Sequence, residues 1–143
     1  MTATHNFGTA PIRAASTADT FKGALYLASA TINASTTAYT VTGEVTGTNY
    51  TAGGVTVTNA TAPTSTNTSA TAGVAYWTPS ASLTYTSVTL TTAFDAVLIY
   101  NSTQSNKAVS VHTFGSQTIT AGTFTLTMPS NTSSTALLRL ATT

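Results

Sequence analysis

The sequence predicts an all-β protein, an antiparallel β-sandwich of jelly-roll-like build with an extended N-terminal arm. Three observations predict it. Roughly a quarter of the chain is threonine, whose branched Cβ fits a pleated strand but is restricted at χ1 in a helix. Every long periodic segment alternates with period two. About eight short apolar runs follow one another at eight-to-twelve-residue spacing, with turn residues between them, as in sandwiches.

Along the chain, residues 1–20 lack periodicity and are expected to form the arm, leaving 21–143 as the β domain. The run from Phe21 to Ala30 places Phe21, Leu25 and Leu27 on one face, with Gly23 in their row as a sign of close backbone approach. A strand is expected over Ala38–Val45. The turn-rich 47–54 follows, with Gly53 and Gly54 at positive φ, and then a short strand with Val55 and Val57 inward. Residues 60–72 are polar and unpatterned and read as a surface loop. Gly73–Trp77 is a strand stopped by Pro79.

In Ser82–Leu90 the apolar parity switches between Tyr85 and Val88, which predicts a bulge or a strand buried on both faces in turn. Thr92–Thr103 is apolar on both faces and is therefore expected to be a central strand. Phe94, Leu98 and Tyr100 should point one way, Val97 and Ile99 the other. Gln104–Asn106 is a turn and Lys107–Gly115 the returning hairpin strand. A short strand over Gln117–Thr120, a turn at Ala121–Gly122, a strand carrying Phe124, Leu126 and Met128 on one face, and Ser134–Ala141 complete the domain.

Length and composition bound the function. With 143 residues the chain is one domain's worth, enough for a single two-layer core. Its hydrophobic fraction of 41%, which includes six tyrosines, five phenylalanines and one tryptophan, is too high for a disordered chain. Charged residues make up 5%, against about 25% in ordinary domains. With a net charge of +1, little repulsion separates copies, which suits a protein held in an assembly. A Ser/Thr/Asn-surfaced secreted domain is the alternative. No apolar run is long enough for a membrane helix, no signal peptide is visible, and the lack of cysteine fits folding in a reducing cytoplasm.

The same scarcity argues against catalysis. Three carboxylates (Asp19, Glu44, Asp95) and two histidines (His5, His112) are the whole supply of proton-transferring groups, and no local spacing pairs them. Asp95 is expected to be satisfied by backbone amides, by Arg139 or by Lys107, and His112 to be an ordinary strand histidine. No clustered ligand set implies a metal, and no glycine-rich phosphate or dinucleotide pattern implies a cofactor. Four dispersed Lys and Arg residues cannot neutralise a nucleic-acid backbone. The Asn-X-Ser/Thr matches at Asn33, Asn59, Asn67, Asn101 and Asn131 are expected by chance in so Thr-rich a chain. Of the adjacent aromatics Tyr76 and Trp77, alternation buries one and leaves the other at a rim, where it could anchor a partner or stack on a sugar.

Residues 19–59, together with Phe94–Asn101 and Ser110–Pro129, resemble a family of small structural proteins of tailed bacteriophages. The resemblance rests on the threonine-rich strand leading into the Tyr50–Gly54 turn, the central strand ending in Tyr100 and Asn101, and the Gly- and aromatic-rich last hairpin. It covers roughly residues 19–129, and it is structural rather than catalytic. It implies a virion component on the capsid surface, assembled in the bacterial host's cytoplasm. The expected role is a capsid cement or decoration protein that binds the major capsid protein and copies of itself, as dimer or trimer, with no enzyme activity, cofactor, nucleic acid or membrane. Thr4, His5 and Phe7 of the arm are the expected shell contacts, and a strand edge or the region of Tyr76 and Trp77 is the expected contact with a sister copy. A tail or head-fibre component with a host- or carbohydrate-binding face is the alternative.

Overall fold

A computed structural model describes residues 19–58, 64–65 (backbone only) and 73–141. The described residues are all-β, with seven strands and no helix: β1 (Phe21–Leu27), β2 (Val55–Val57), β3 (Thr64–Ser65), β4 (Val74–Trp77), β5 (Leu83–Asn101), β6 (Lys107–Leu126) and β7 (Leu138–Ala141). They form two antiparallel sheets, of order β2-β1-β5-β6 and β3-β4-β7. Contacts divide the chain into two compact units. One holds Asp19–Val57 and Leu83–Leu126; the other includes Thr58–Ser82 and the chain from Thr127 onward.

The larger sheet is dominated by the β5–β6 hairpin, with strands of 19 and 20 residues against the usual five or six. Five apolar residues in a row, Val97 to Leu98, Ile99 and Tyr100 with Ala96 before them, are buried because β1 and β6 flank β5 and both its faces are covered. The central position expected for this segment is thus observed. The bulge expected between Tyr85 and Val88 is also present, as a register shift with Ser87 at φ 52°. Ser105 and Asn106 take positive φ at the hairpin turn, and Gly53 and Gly54 do so in theirs.

Several expectations are corrected. The separate strands expected along 82–103 and along 107–126 are fused into β5 and β6. The reason is that positive-φ residues such as Ser87 and Ala121 are absorbed as bulges between two continuous partners, so Ala121–Gly122 is not a turn. A further register shift between Phe94 and Ala96 takes Phe94 out of the row of Leu98 and Tyr100. Ala24, Tyr26, Ala96, Leu98 and Tyr100 form one buried cluster, whereas Phe94 packs edge-on against Phe124 (5.0 Å) and Phe114 (6.0 Å). Residues 64–65, read as loop, pair with Tyr76 and Ala75, which makes β4 the middle strand of its sheet. The rest of that expected loop, 60–63 and 66–72, lies outside the described residues, as do residues 1–18 of the expected arm.

Ala38–Val45 is not a strand. Its backbone makes only isolated bridges, Ala38 with Lys107 and Glu44 with Tyr26. This segment covers the sheet rather than joining it. Ala30, Ile32 and Tyr39 pack on the cluster around Leu98, and Tyr39 stacks on Tyr100 at 4.7 Å. The Ala108 amide then bonds to the Thr37 carbonyl at the β6 edge, and the Val45 amide to the Leu25 carbonyl at the β1 edge. The covering chain therefore reaches both margins of the β1-β5-β6 sheet.

Gly23 is a point of close approach. A Cβ there would lie 2.6 Å from Leu83 Cδ1 and 3.3 Å from the Tyr85 hydroxyl, and the Gly23 carbonyl accepts from that hydroxyl at 2.8 Å. A Cβ on Gly115 would meet nothing within 4 Å. Gly23→Ala is accordingly expected to lower stability by about 1–3 kcal/mol in urea unfolding, while Gly115→Ala stays within about 0.5 kcal/mol. Equal effects of the two would show that the packing over Gly23 is not tight.

Candidate functional site

The densest polar constellation among the described residues is built around Glu44. Its side chain is 6% exposed. Oε2 accepts the Tyr39 hydroxyl at 2.7 Å, and Oε1 accepts both the Tyr50 hydroxyl and the Gly53 amide at 2.7 Å. The Tyr50 oxygen in turn accepts the Leu25 amide of β1 at 3.0 Å. Three more tyrosines tie neighbouring backbone. Tyr26 donates to the Thr40 carbonyl (2.5 Å), Tyr85 to the Gly23 carbonyl and Tyr100 to the Gly53 carbonyl (2.9 Å). Of these five tyrosines, Tyr26, Tyr50 and Tyr100 link the covering chain to the sheet, Tyr39 closes the covering chain on Glu44, and Tyr85 ties β5 to β1.

This arrangement is structural chemistry. A carboxylate taking three short hydrogen bonds has most of its acceptor capacity taken up from within the chain. The phenols are poor acids in this setting. Burial, and then the Glu44 charge, push Tyr39, Tyr50, Tyr85 and Tyr100 up, Tyr100 to about 12. Burial raises Tyr26 too, against its bond to Thr40. None is poised to exchange a proton near neutrality.

Asp19 anchors the start of β1. It is 3% exposed and accepts Asn101 Nδ2 at 2.7 Å and Gln104 Nε2 at 3.2 Å. Asn101 Oδ1 accepts the Thr103 and Gln104 amides and so shapes the hairpin turn. Asn101 is fully buried, which closes that sequon to modification. His112 Nε2 shares a hydrogen bond with the Ser110 hydroxyl at 2.9 Å, and burial lowers its pKa. Arg139 donates Nε to the Ser133 carbonyl at 2.7 Å, and Lys107 sits opposite Asn101, six residues along β5 from Asp95.

Among the described residues no three of His, Asp and Glu cluster as metal ligands would. Three hollows among those residues, of about 430, 340 and 100 Å³, are lined by none of Asp19, Glu44, Asp95 or His112. Tyr76 and Trp77 lie on β4 opposite Arg139 and Leu138. Trp77 is 2% exposed and Tyr76 half-buried, the division that alternation predicts. Thr4, His5 and Phe7 lie outside the described residues. The sequence offered no sign of the Glu44 hub, since Glu44 stands in a Thr- and Gly-rich stretch and its partners Tyr39, Tyr50 and Gly53 share no period with it.

No family model, curated protein or solved structure matches the chain.

The raised phenol pKa values have a consequence in alkali. A hydroxyl must keep its proton to donate, and in the unfolded chain it loses it near pH 10. The stabilisation from these five tyrosines is therefore complete below pH 10 and is lost as pH climbs through their folded values, with Tyr100 going near 12. Tyrosinate absorbance and circular dichroism followed together from pH 8 to 13 should show these phenols ionising only as the fold is lost. Five phenols titrating near pH 10 in an intact fold would refute the hydrogen-bonded cluster.

Proposed function

We propose that the chain is a structural component of a tailed-bacteriophage virion: a capsid cement or decoration protein that stabilises the head by binding the major capsid protein and its own copies. It is not an enzyme. One observation carries the reading. The ionisable side chains are scarce, and among the described residues several of them bond to neutral groups of their own chain: Glu44 to tyrosines and an amide, Asp19 to Asn101 and Gln104, Arg139 to Ser133, His112 to Ser110. The surface these residues offer to partners is mostly neutral polar and apolar. Val41 and Leu140 are 68% and 73% exposed, and the outer face of β6 is mostly exposed Thr, Ser, Gln and Gly.

In this reading the fold is a jelly-roll-like antiparallel β-sandwich and residues 1–20 act as an arm on the shell, with Thr4, His5 and Phe7 in contact. A strand edge or the Tyr76–Trp77 region meets a sister copy in a dimer or trimer, with Tyr76 the reachable side chain of the pair because Trp77 is buried. Neutral surfaces suit such a role because each contact can be weak. Repetition over a symmetric shell raises the effective concentration of every further contact. The mature protein resides on the capsid surface after assembly in the host cytoplasm.

Quantitative gel densitometry of purified particles tests the reading. A cement protein is present in hundreds of copies per head. A handful of copies per particle would contradict it and point to a fibre component.

A further inference from the structure

The outer margin of β6 carries a hollow whose position and lining differ from an ordinary surface dent. The segment Thr37–Tyr39 lies against β6 as a short length of strand: Ala38 bridges Lys107, the Ala108 amide bonds to the Thr37 carbonyl at 2.9 Å, and the Tyr39 amide bonds to the Asn106 carbonyl at 2.9 Å. Before Thr37 the chain leaves this line in a tight turn, with the Thr36 amide on the Asn33 carbonyl and the Asn33 amide on the Thr36 hydroxyl. The ladder begun at Lys107 and Ala108 therefore stops short. A hollow of about 430 Å³ opens between Asn33, Ala34 and Thr36 on one side and Val109, Ser110 and Val111 on the other.

The lining selects among occupants. It has no charged and no aromatic side chain, so it offers no anchor for an anion, a sugar ring or a cofactor. What it does offer is the margin of an edge strand, whose main-chain groups recognise another extended backbone. From Ala108 to Leu126 β6 has no Asp, Glu, Lys, Arg or Pro, so it lacks the charges and prolines by which natural edges repel a further strand. Its bulges confine any pairing to short regular stretches, and the longest of these, Ser110–Thr113 opposite Ala96–Ile99, borders the hollow.

We propose that this hollow is a strand-accepting slot, filled by an extended, uncharged segment of a second copy of this chain, which continues on β6 the ladder that Thr37–Tyr39 begins. A second copy is the fitting donor on charge. The slot is neutral, and a chain with 5% charged residues supplies neutral β-branched segments throughout, with no like-charge cost on approach. The slot on one copy and the donated segment on the next are different surfaces. The contact is heterologous, and it closes into a ring or runs on from copy to copy. This inference rests on the self-association in the function proposed above.

Light scattering of the full-length protein over a concentration series, with two variants, tests it. Ala34→Lys places a charge on the exposed wall of the slot without touching the sheet. Val109→Pro acts on the edge at a residue without a partner in the β5 register. The expected result is an oligomeric wild type, with Ala34→Lys and Val109→Pro shifted at least tenfold toward monomer at unchanged circular dichroism. Should Val109→Pro fail to fold, Ala34→Lys alone decides. Oligomerisation undiminished in Ala34→Lys overturns the slot and leaves self-association standing. A wild type that stays monomeric at every concentration overturns both.

Discussion

The carboxylate of Glu44 is the interaction on which the larger unit depends. A buried negative charge costs several kcal/mol unless donors surround it. Here Tyr39, Tyr50 and Gly53 supply three of them, from places well apart along the covering chain. That chain passes over the Leu98 face of the sheet and has no ladder of its own to hold it. Its attachment comes instead from point contacts, each phenol reaching a backbone group or the carboxylate. The bonds to the Glu44 carboxylate are charge-assisted and contribute on the order of 1.5–3 kcal/mol each, against about 1 kcal/mol for those to backbone carbonyls.

The same economy of charge connects structure to role. A chain with seven Asp, Glu, Lys and Arg residues could have displayed them for solubility or gathered them for chemistry. Glu44 and Asp19 are buried and bond to neutral groups: Asp19 ties the head of β1 to the β5–β6 turn, far along the chain, and Glu44 ties the covering chain to itself and, through Tyr50, to Leu25. Among the described residues the outward surface is mostly threonine, serine and small apolar groups. Such a surface neither steers a charged ligand nor repels its own copies, and it is suited to adhesion between neutral faces.

Much of the sheet was legible in the sequence because its signals are local. The doubly apolar run at Val97–Tyr100 marks a central strand, the parity switch after Tyr85 marks a bulge, and Gly23 in an apolar row marks close approach. Where the reading failed, the deciding partner was remote. Ala38–Val45 alternates like a strand, yet it lies across a sheet face because Tyr39 finds Tyr100 and Glu44 finds Tyr50 and Gly53. The turn residues Ala121 and Gly122 could not announce a bulge, because only the continuity of β5 beside them decides between bulge and turn. The Glu44 hub was invisible for the same reason, since each of its donors is unremarkable alone.

Urea unfolding of Glu44→Ala probes this dependence most directly, because it leaves two phenols and an amide facing no acceptor. A loss of at least about 1–3 kcal/mol is predicted, the cost of a buried donor left without an acceptor, with the sheet retained by circular dichroism in the absence of urea. A change within about 0.5 kcal/mol, as for a surface substitution, would mean that the covering chain is held by other contacts and that the carboxylate is incidental to the fold.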